Sequence, residues 1–375
     1  MKPESENNFD VSIIGGGPAG SAAAIILARA GRRVLMIEKD SRPPFKVGES
    51  LPPGALPLLN KLEVQERFVS DGHLACYGNQ SAWGSNRLHC TDFIRDPNGV
   101  GWHLNRPVFD SMLRDKARDF GAEVRETTRL MRSERNRSGG WHLWLNTSER
   151  SQKISAKWVI DCTGRRSLFA RREGVRRECC DRLIAFVSLF ARTNAPGLEP
   201  DRDSLSLIES AEDGWWYNSL LPGEKRVVIF FTDADSPSAR RARQVQGFLA
   251  LLRNTVHIRE QLDDLHYTIC GSPRVTSAET GRLERVVGDR WLAAGDACAS
   301  FDPLSSQGIL SALYTGLKAG SALTSHLDGD SYALSGYEDN VDAVFEAYLK
   351  NRLLYYSYEQ RWPRSPFWKV RHGTS

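Results

Sequence analysis

One junction near the start of the chain limits its fold more than any other feature. The apolar run Val11 to Ile14 ends at Gly15-x-Gly17-x-x-Gly20, and an alanine-rich stretch follows at once. A short buried strand, a glycine turn and a small-residue helix open a parallel βαβ unit that holds a dinucleotide. Gly15 permits the tight turn, Gly17 lets the backbone approach a pyrophosphate, and Gly20 lets helix and strand pack closely. Pro18 suits the first helical turn, where its missing N–H costs nothing. Gly31 suits the helix stop. Arg33 to Ile37 reads as the second strand, and Glu38 ends it, about 20 residues after the first glycine. A carboxylate there accepts the ribose hydroxyls of an adenosine and repels a 2′-phosphate, which disfavours NADP at this site. The helix N-terminus points partial positive charge at the phosphates. Ala19 and Lys39 adjoin these groups and belong to the same predicted site.

Two later segments extend the site. One is VIDCTGRRS, Val159 to Ser167, and the other is WLAAGDACASFDPLSSQGILSAL, Trp291 to Leu313. Arg290 to Ala294 reads as a buried strand ending in Gly295-Asp296, whose carboxylate can accept a hydrogen bond from a polyol hydroxyl. A helix is expected from Ile309 to about Leu327, with Ile309, Leu310, Leu313, Leu317 and Leu323 as its core stripe. Its free N–H groups and dipole favour negative charge on a reduced flavin. The reading is an FAD enzyme in which one extended flavin lies across two distant strand ends.

Composition closes off other classes. A net charge of +4 demands no nucleic acid. The longest apolar run, Ala22 to Ala30, is too short to span a bilayer, so no membrane is expected. The polar N-terminal MKPESENNF reads as a loose tail rather than a targeting peptide. Seven scattered cysteines without C-x-x-C suit a reducing cytoplasm without disulfides. Histidines and cysteines lack metal-ligand spacing, so no metal is expected.

The order GxGxxG, DxTG, GDA…DPLSSQG resembles the flavin monooxygenase superfamily, which includes aromatic hydroxylases, tryptophan halogenases and geranylgeranyl reductases. The resemblance implies an α/β fold: a Rossmann-like FAD-binding domain of the aromatic-hydroxylase type with an inserted antiparallel β-sheet substrate domain. The expected boundaries are 1–73, 96–182 and 276–330 for the FAD domain, 74–95 and 183–275 for the insert, and 331–375 for a C-terminal helix and tail. By that resemblance Gly15, Gly17, Gly20 and Glu38 hold the adenosine diphosphate. Arg106 lies near the cofactor, Asp296 holds the ribitol, and Gln307, Gly308 and Ile309 lie at the isoalloxazine. Glu49, Ser50, Thr163, Gly164, Gly295 and Pro303 complete the expected cofactor site. The middle motif has Thr163-Gly164 where the hydroxylases carry Asp-Gly, so direct NADPH handling is not carried over.

Finer features narrow the branch. KVGESLPPGALPLL, Lys46 to Leu59, is similar to the GES segment of halogenases, yet their Trp-Trp-Ile-Pro signature is absent. Their catalytic Lys has no counterpart in CYGNQSAWGS, and Ser305 stands where they carry Glu. The whole pattern, with GWHLNRPVFD, DGWWYNSLLP and RWPRSPFWKVRH, is similar to the LodB- and GoxB-like maturase flavoproteins of cysteine tryptophylquinone oxidases. That resemblance implies hydroxylation of a tryptophan in the precursor of a quinone-cofactor amine or amino-acid oxidase, with O2, through a flavin C4a-hydroperoxide. Electrons come from NAD(P)H or a separate reductase. The alternatives are a tailoring monooxygenase or halogenase of a small aromatic metabolite, and a non-catalytic flavoprotein maturation factor.

The candidate catalytic groups are His103, Ser306 and Gln307. His73 and Trp83 are pocket candidates by position, and His73 reads as structural. Trp215, Trp216 and Tyr217 either line a pocket or pack the sheet, with at least one tryptophan in the core. Arg165, Arg166, Arg171, Arg172, Arg176 and Arg177 read as a solvated helical face. Trp362, Phe367 and Trp368 are expected to pack the tail onto the FAD domain.

Overall fold

The computed structural model describes residues 7–41, 46–147, 150–192 and 199–373. The polar stretch 1–6 and the last two residues of the tail lie outside the described residues.

Asn8–Ile14 is the central strand of a parallel sheet. It pairs on one side with Val34–Ile37 and on the other with Ser151–Asp161, in the register Ile14 to Asp161. Trp291–Ala293 extends the sheet beyond Ser151–Asp161, and Glu123–Arg125 extends it beyond Val34–Ile37. The central strand is buried on both faces from Val11 onward, which is why it reads as a continuous apolar run. Chain connections leave the Asn8–Ile14 strand in opposite directions, so a crevice opens at its carboxyl end and at that of Ser151–Asp161.

The helix Pro18–Arg29 starts with Gly17 as its N-cap and Pro18 at its first position. Two close backbone approaches set its place. A Cβ on Gly15 would fall 2.2 Å from the Cys162 carbonyl oxygen, and one on Gly20 would fall 1.9 Å from the Gly15 carbonyl oxygen. The long helix Gly308–Leu327 packs along Pro18–Arg29. The two halves of the expected cofactor site are therefore bound into one core.

The second layer is a seven-stranded sheet in the order Tyr267–Ser277, Leu183–Arg192, Lys225–Asp233, Gly214–Leu221, Ser206–Ala211, Gly78–Ala82, His89–Asp92. Its pairings are antiparallel except for Ser206–Ala211 with Gly78–Ala82. Leu74–Cys76 belongs elsewhere: it joins Ser50–Leu51 and Gly101–His103 in a three-stranded sheet. Side chains alternate across the large sheet. Phe186, Trp216, Val228 and Phe230 face the helices Pro237–Ala242, Val245–Leu252 and His257–Asp264. Ala185, Trp215, Tyr217, Ile229 and Phe231 face the other way.

Two expectations are corrected here. The C-terminal tail packs on the inserted sheet and not on the FAD domain. Trp362 stacks on Trp368, Trp368 donates from its indole to the Ala211 carbonyl at 3.0 Å, and Arg371 pairs with Asp233 at 2.7 Å. The reason is the apolar face carrying Trp215 and Phe231, whose cluster takes in Tyr356, Phe367 and Trp368. The arginine cluster also divides. Arg171, Arg172 and Arg176 are exposed as a solvated face should be, whereas Arg177 turns inward to Ser167, Gly281 and Ser300. Arg165 likewise turns to the Phe301 carbonyl and to Asp296.

Candidate functional site

Two connected hollows follow the crevice. The first, about 550 Å³, is lined by Gly15, Gly17, Glu38, Lys39, Arg114, Thr163 and Gly164 among others. The second, about 720 Å³, runs from Gly17, Pro18 and Ala19 to Gly308 and Ile309. Both have Gly17, Lys39, Lys46, Cys162, Thr163 and Arg166 in their walls, so they form one elongated groove.

At the first end, Glu38 is held ready. Its Oε2 accepts from the Gly16 N–H at 2.8 Å and its Oε1 from the Asp40 N–H at 3.1 Å. Arg114 donates to Glu126 at 2.7 Å and to the Gly16 carbonyl at 3.2 Å, which pins the glycine turn from outside. Asp161, fully buried at the end of its strand, accepts from the N–H groups of Thr163, Phe169 and Ala170 and from the Thr163 hydroxyl. That carboxylate shapes the Thr163-Gly164 turn rather than facing a ligand. Burial pushes its carboxyl up against those hydrogen bonds.

The middle of the groove is a charge relay. Lys46 meets Asp110 at 2.6 Å, and Arg106 meets the same carboxylate at 3.1 Å while holding the Val47 and Gly48 carbonyls. Burial would raise Asp110, but the two cations outweigh it and keep the carboxyl below its ordinary range. Gly48 has φ +91°, and a Cβ there would sit 3.1 Å from the Arg106 guanidinium, so only glycine lets Arg106 reach this loop unstrained.

At the far end, Asp296 lies 3.5 Å from Arg165. Asp302 caps the loop before the long helix by accepting from the Leu304 N–H at 3.0 Å, and the Tyr356 hydroxyl donates to it at 2.7 Å. Its own N–H donates to the Tyr348 hydroxyl at 2.7 Å. The C-terminal helix Ala333–Ser357 thus holds the DPLSSQG loop in place. The opposite wall is Trp215, Tyr217, Ile229 and Phe231 from the inserted sheet. Exposed Val275, Thr276 and Ser277, on the outermost strand of that sheet, form part of the rim.

The FAD binding domain family matches this sequence over residues 8–352. The chain belongs to that family. FAD is its cofactor, and it is an FAD-dependent oxidoreductase of the monooxygenase and halogenase kind. Like this FAD-binding protein, LodB of Marinomonas mediterranea, named as an FAD-dependent oxidoreductase, spans the whole alignment: 29% identity over 98% of either chain. The solved myxobacterial chondrochloren halogenase CndH shares the fold at a TM-score of 0.86 and 24% identity, over 97% of this chain and 86% of its own. The peptidyl tryptophan dihydroxylase QhpG, essential for tryptophylquinone cofactor biogenesis, shares it at 0.74 and 21%, over 97% and 78%.

The groove of this family member fits FAD on structural grounds. Gly17 carries no Cβ where the groove passes it, and the nearest atom to such a Cβ would be the Lys46 ammonium at 3.7 Å. Cations and free N–H groups at that point suit a pyrophosphate. Of the predicted cofactor residues, the groove brings together Gly15, Gly17, Pro18, Ala19, Glu38, Lys39, Glu49, Ser50, Arg106, Thr163, Gly164, Gly295, Asp296, Pro303, Gly308 and Ile309. Gly20 serves packing, and Gln307 is exposed outside the described lining.

The catalytic candidates part company. Ser306 lines the groove with φ 51°. His103 is fully buried one strand behind it, paired in register with Ser50, and its Nε2 meets the Ser206 hydroxyl at 2.9 Å. Burial holds its imidazole down to about 4, hence neutral. His73 is also held down to about 4 by burial and accepts from the Asn105 N–H, a structural role. Trp83 donates to the Tyr355 carbonyl and packs edge-on to Trp368 and is not in the groove wall. Sequence reasoning missed Lys46, Asp110, Arg114, Arg165 and Phe231. Arg106 and Asp110 sit one helical turn apart, a spacing that signals the pair; the others carry no local signal.

Proposed function

We propose that this enzyme is an FAD-dependent monooxygenase that hydroxylates a tryptophan side chain of a partner oxidase precursor during tryptophylquinone biogenesis. The observation that carries the reading is the far end of the groove. Its wall is aromatic and apolar, as an indole requires, and its rim includes three exposed residues of an outermost strand. A side chain projecting from another protein can enter beside that strand, whereas a small metabolite is better served by a closed chamber.

Bound FAD supplies the two-electron activation of O2. The chain's own residues do the rest. Arg106, Lys46 and Asp110 fix the loop that carries Glu49 and Ser50. Asp302, Tyr348 and Tyr356 fix the loop before the helix Gly308–Leu327. Trp215, Tyr217, Ile229 and Phe231 exclude water and can stack on an aromatic ring. An electron-rich indole needs little acid–base help to accept an oxygen atom, so the absence of a Ser-His-Asp type constellation in the groove fits the reading.

Halogenation is less well supported. It needs an amine in the apolar part of the cavity to capture the oxidised halide, and the lining lysines are Lys39 and Lys46, the latter held by Asp110 in the middle of the groove. The name of QhpG agrees with a maturation role, and that of LodB with FAD-dependent oxidation. The deciding experiment incubates the FAD-loaded protein, a reductant and O2 with an oxidase precursor. Oxygen mass gained on a tryptophan-containing peptide supports the reading. Oxygen gained only on free small aromatics, or bromine gained when bromide is supplied, overturns it.

A further inference from the structure

Glu49 is unlike the other carboxylates of the groove. It is 3% exposed and lies in the cavity wall. Its Oε1 accepts from the Ser219 hydroxyl at 3.3 Å, and its Oε2 has no hydrogen-bond partner. Glu38 and Asp110 have both oxygens in contact with donors or cations, Asp40 meets Lys39, and Asp296 meets Arg165. Among the described residues no cation stands within ion-pair reach of Glu49.

The groups facing it come from three elements. Tyr217 and Ser219 project from Gly214–Leu221, and Arg106 comes from the start of the helix Arg106–Asp119. Ser50 follows it in the chain on a strand that packs against Gly308–Leu327. Arg106 is already engaged by Asp110 and by the Val47 and Gly48 carbonyls, so its charge is largely spent there. Burial dominates what remains and pushes the Glu49 carboxyl up, against smaller opposing contributions from Tyr217, Ser219 and Arg106. A buried carboxyl with one unpartnered oxygen is costly as an anion and inexpensive as an acid. As an acid, it presents an O–H to the cavity.

Behind Glu49 the polar groups continue inward. The Tyr217 hydroxyl lies beside Glu49 and 3.3 Å from the Ser206 hydroxyl, which is 2.9 Å from His103 Nε2. All four residues are buried. With His103 and Tyr217 both neutral, neither brings a positive charge to Glu49, and burial outweighs the hydrogen bonds and the Arg106 charge that favour its anion.

We propose that Glu49 stands in the cavity wall as a neutral carboxylic acid and is the proton donor for the oxygen atom released as water. The inference rests on the monooxygenase reading above. In that reaction an aromatic C–H, O2, two electrons from a reduced nicotinamide or a reductase, and two protons give a ring C–OH and one water. The O–O bond breaks and a C–O bond forms. Glu49 gives one of the two protons to the departing oxygen, becomes a carboxylate, and regains a proton from solvent through the open rim. Buried acids tuned upward to serve at neutral pH are a recurring solution to this requirement.

The test has two readouts on the FAD-loaded full chain. Infrared spectroscopy at pH 7 should show a protonated-carboxyl C=O band that shifts in D2O and is missing in Glu49→Gln. Single-turnover hydroxylation by the dithionite-reduced protein and O2, with an oxidase precursor or free indole as acceptor, should be slowed in Glu49→Ala by about a hundredfold, with hydrogen peroxide released instead, and added formic acid should restore it. Glu49→Asp should keep part of the rate. Retained FAD absorbance in each variant shows that the site is folded. Absence of the band in the wild type overturns the proposal. So does a band accompanied by unchanged hydroxylation of the acceptor in Glu49→Ala, which would make the acid merely structural. If band and rescue are seen with free indole alone as acceptor while no tryptophan of an oxidase precursor is oxygenated, the proposal for Glu49 stands and the substrate reading falls.

Discussion

Gly316 lies against Ala19 so closely that a Cβ at position 316 would meet the Ala19 carbonyl oxygen at 2.1 Å. Ala19 belongs to the first turn of the dinucleotide helix, and Gly316 lies two turns into the helix that follows the DPLSSQG loop. Ala19 also lies 2.7 Å from where a Cβ on Gly295 would stand. One contact zone therefore sets the separation between the two ends of the groove.

Gly316→Val should separate these helices. Overpacking against backbone typically costs about 1 to 3 kcal/mol. Chemical denaturation should show that loss, and equilibrium dialysis should show FAD binding weakened by more than the stability loss alone explains, while Gly336→Ala, with open space around its Cβ inside a helix, should stabilise by up to about 1 kcal/mol and leave FAD binding unchanged.

Acid lability should follow from two histidines. Burial holds His73 and His103 down to about 4. Each contributes stability that is present above the unfolded value near 6.5 and is lost as pH falls toward 4, because the unfolded chain then binds protons that the fold rejects. The loss is on the order of 3 kcal/mol for a fully buried imidazole. Denaturation midpoints measured from pH 7.5 to 4.5 should fall steeply for the wild type and less steeply for His73→Phe.

Glu49 should act in the opposite sense. Its raised carboxyl contributes stability that is fully present below the unfolded value and is lost as pH rises through the folded one. The stability difference between wild type and Glu49→Gln should therefore move against the wild type as pH increases from 4 upward. A difference that stayed flat over that range would mean the carboxyl is ionised as freely in the fold as in the unfolded chain.

Adjacent tryptophans should give unlike phenotypes. Trp216 is packed between Phe230 and Phe248 under the covering helices, so Trp216→Ala should cost about 3 to 5 kcal/mol and leave the FAD spectrum of the folded fraction unchanged. Trp215 stacks on Phe231 at 3.9 Å and donates to the Tyr356 hydroxyl. Trp215→Phe should cost only about 1 kcal/mol yet lower product formation, because it reshapes the groove wall.

Arg371 anchors the tail. It is 1% exposed at its side chain, pairs with Asp233 and stacks on Phe367 at 3.6 Å. Arg371→Ala should destabilise the protein by about 3 kcal/mol, and adding Asp233→Ala should cost less than the sum of the single changes. Thermal unfolding of the four proteins checks both.

How much of this was legible beforehand depends on range. The glycine turn, the paired strands around it, Glu38 and the helix Gly308–Leu327 were all readable, because each rests on residues within one turn or one strand of each other. The strand end at Gly295-Asp296 was readable for the same reason, whereas Pro303 was placed in the groove by the family resemblance. The destination of the tail was not readable. Trp362, Phe367 and Trp368 are simply apolar in the sequence, and which face they cover depends on where an apolar surface is left open. The direction of Arg165 and Arg177, and the position of His103 behind the groove wall, were hidden likewise.

The inserted antiparallel sheet was what the family resemblance implied; by itself the order of residues determined that a parallel sheet with a glycine turn opens the chain and that a helix with an apolar stripe follows the late strand. Those outcomes follow from short-range sterics and hydrophobic periodicity. Only the tertiary structure decided that Glu49 would be walled off without a counter-ion, that Lys46 and Arg106 would share Asp110, and that Trp215 rather than Trp216 would face the cavity. Burial and charge pairing are properties of neighbours brought together from distant parts of the chain, and no local pattern encodes them.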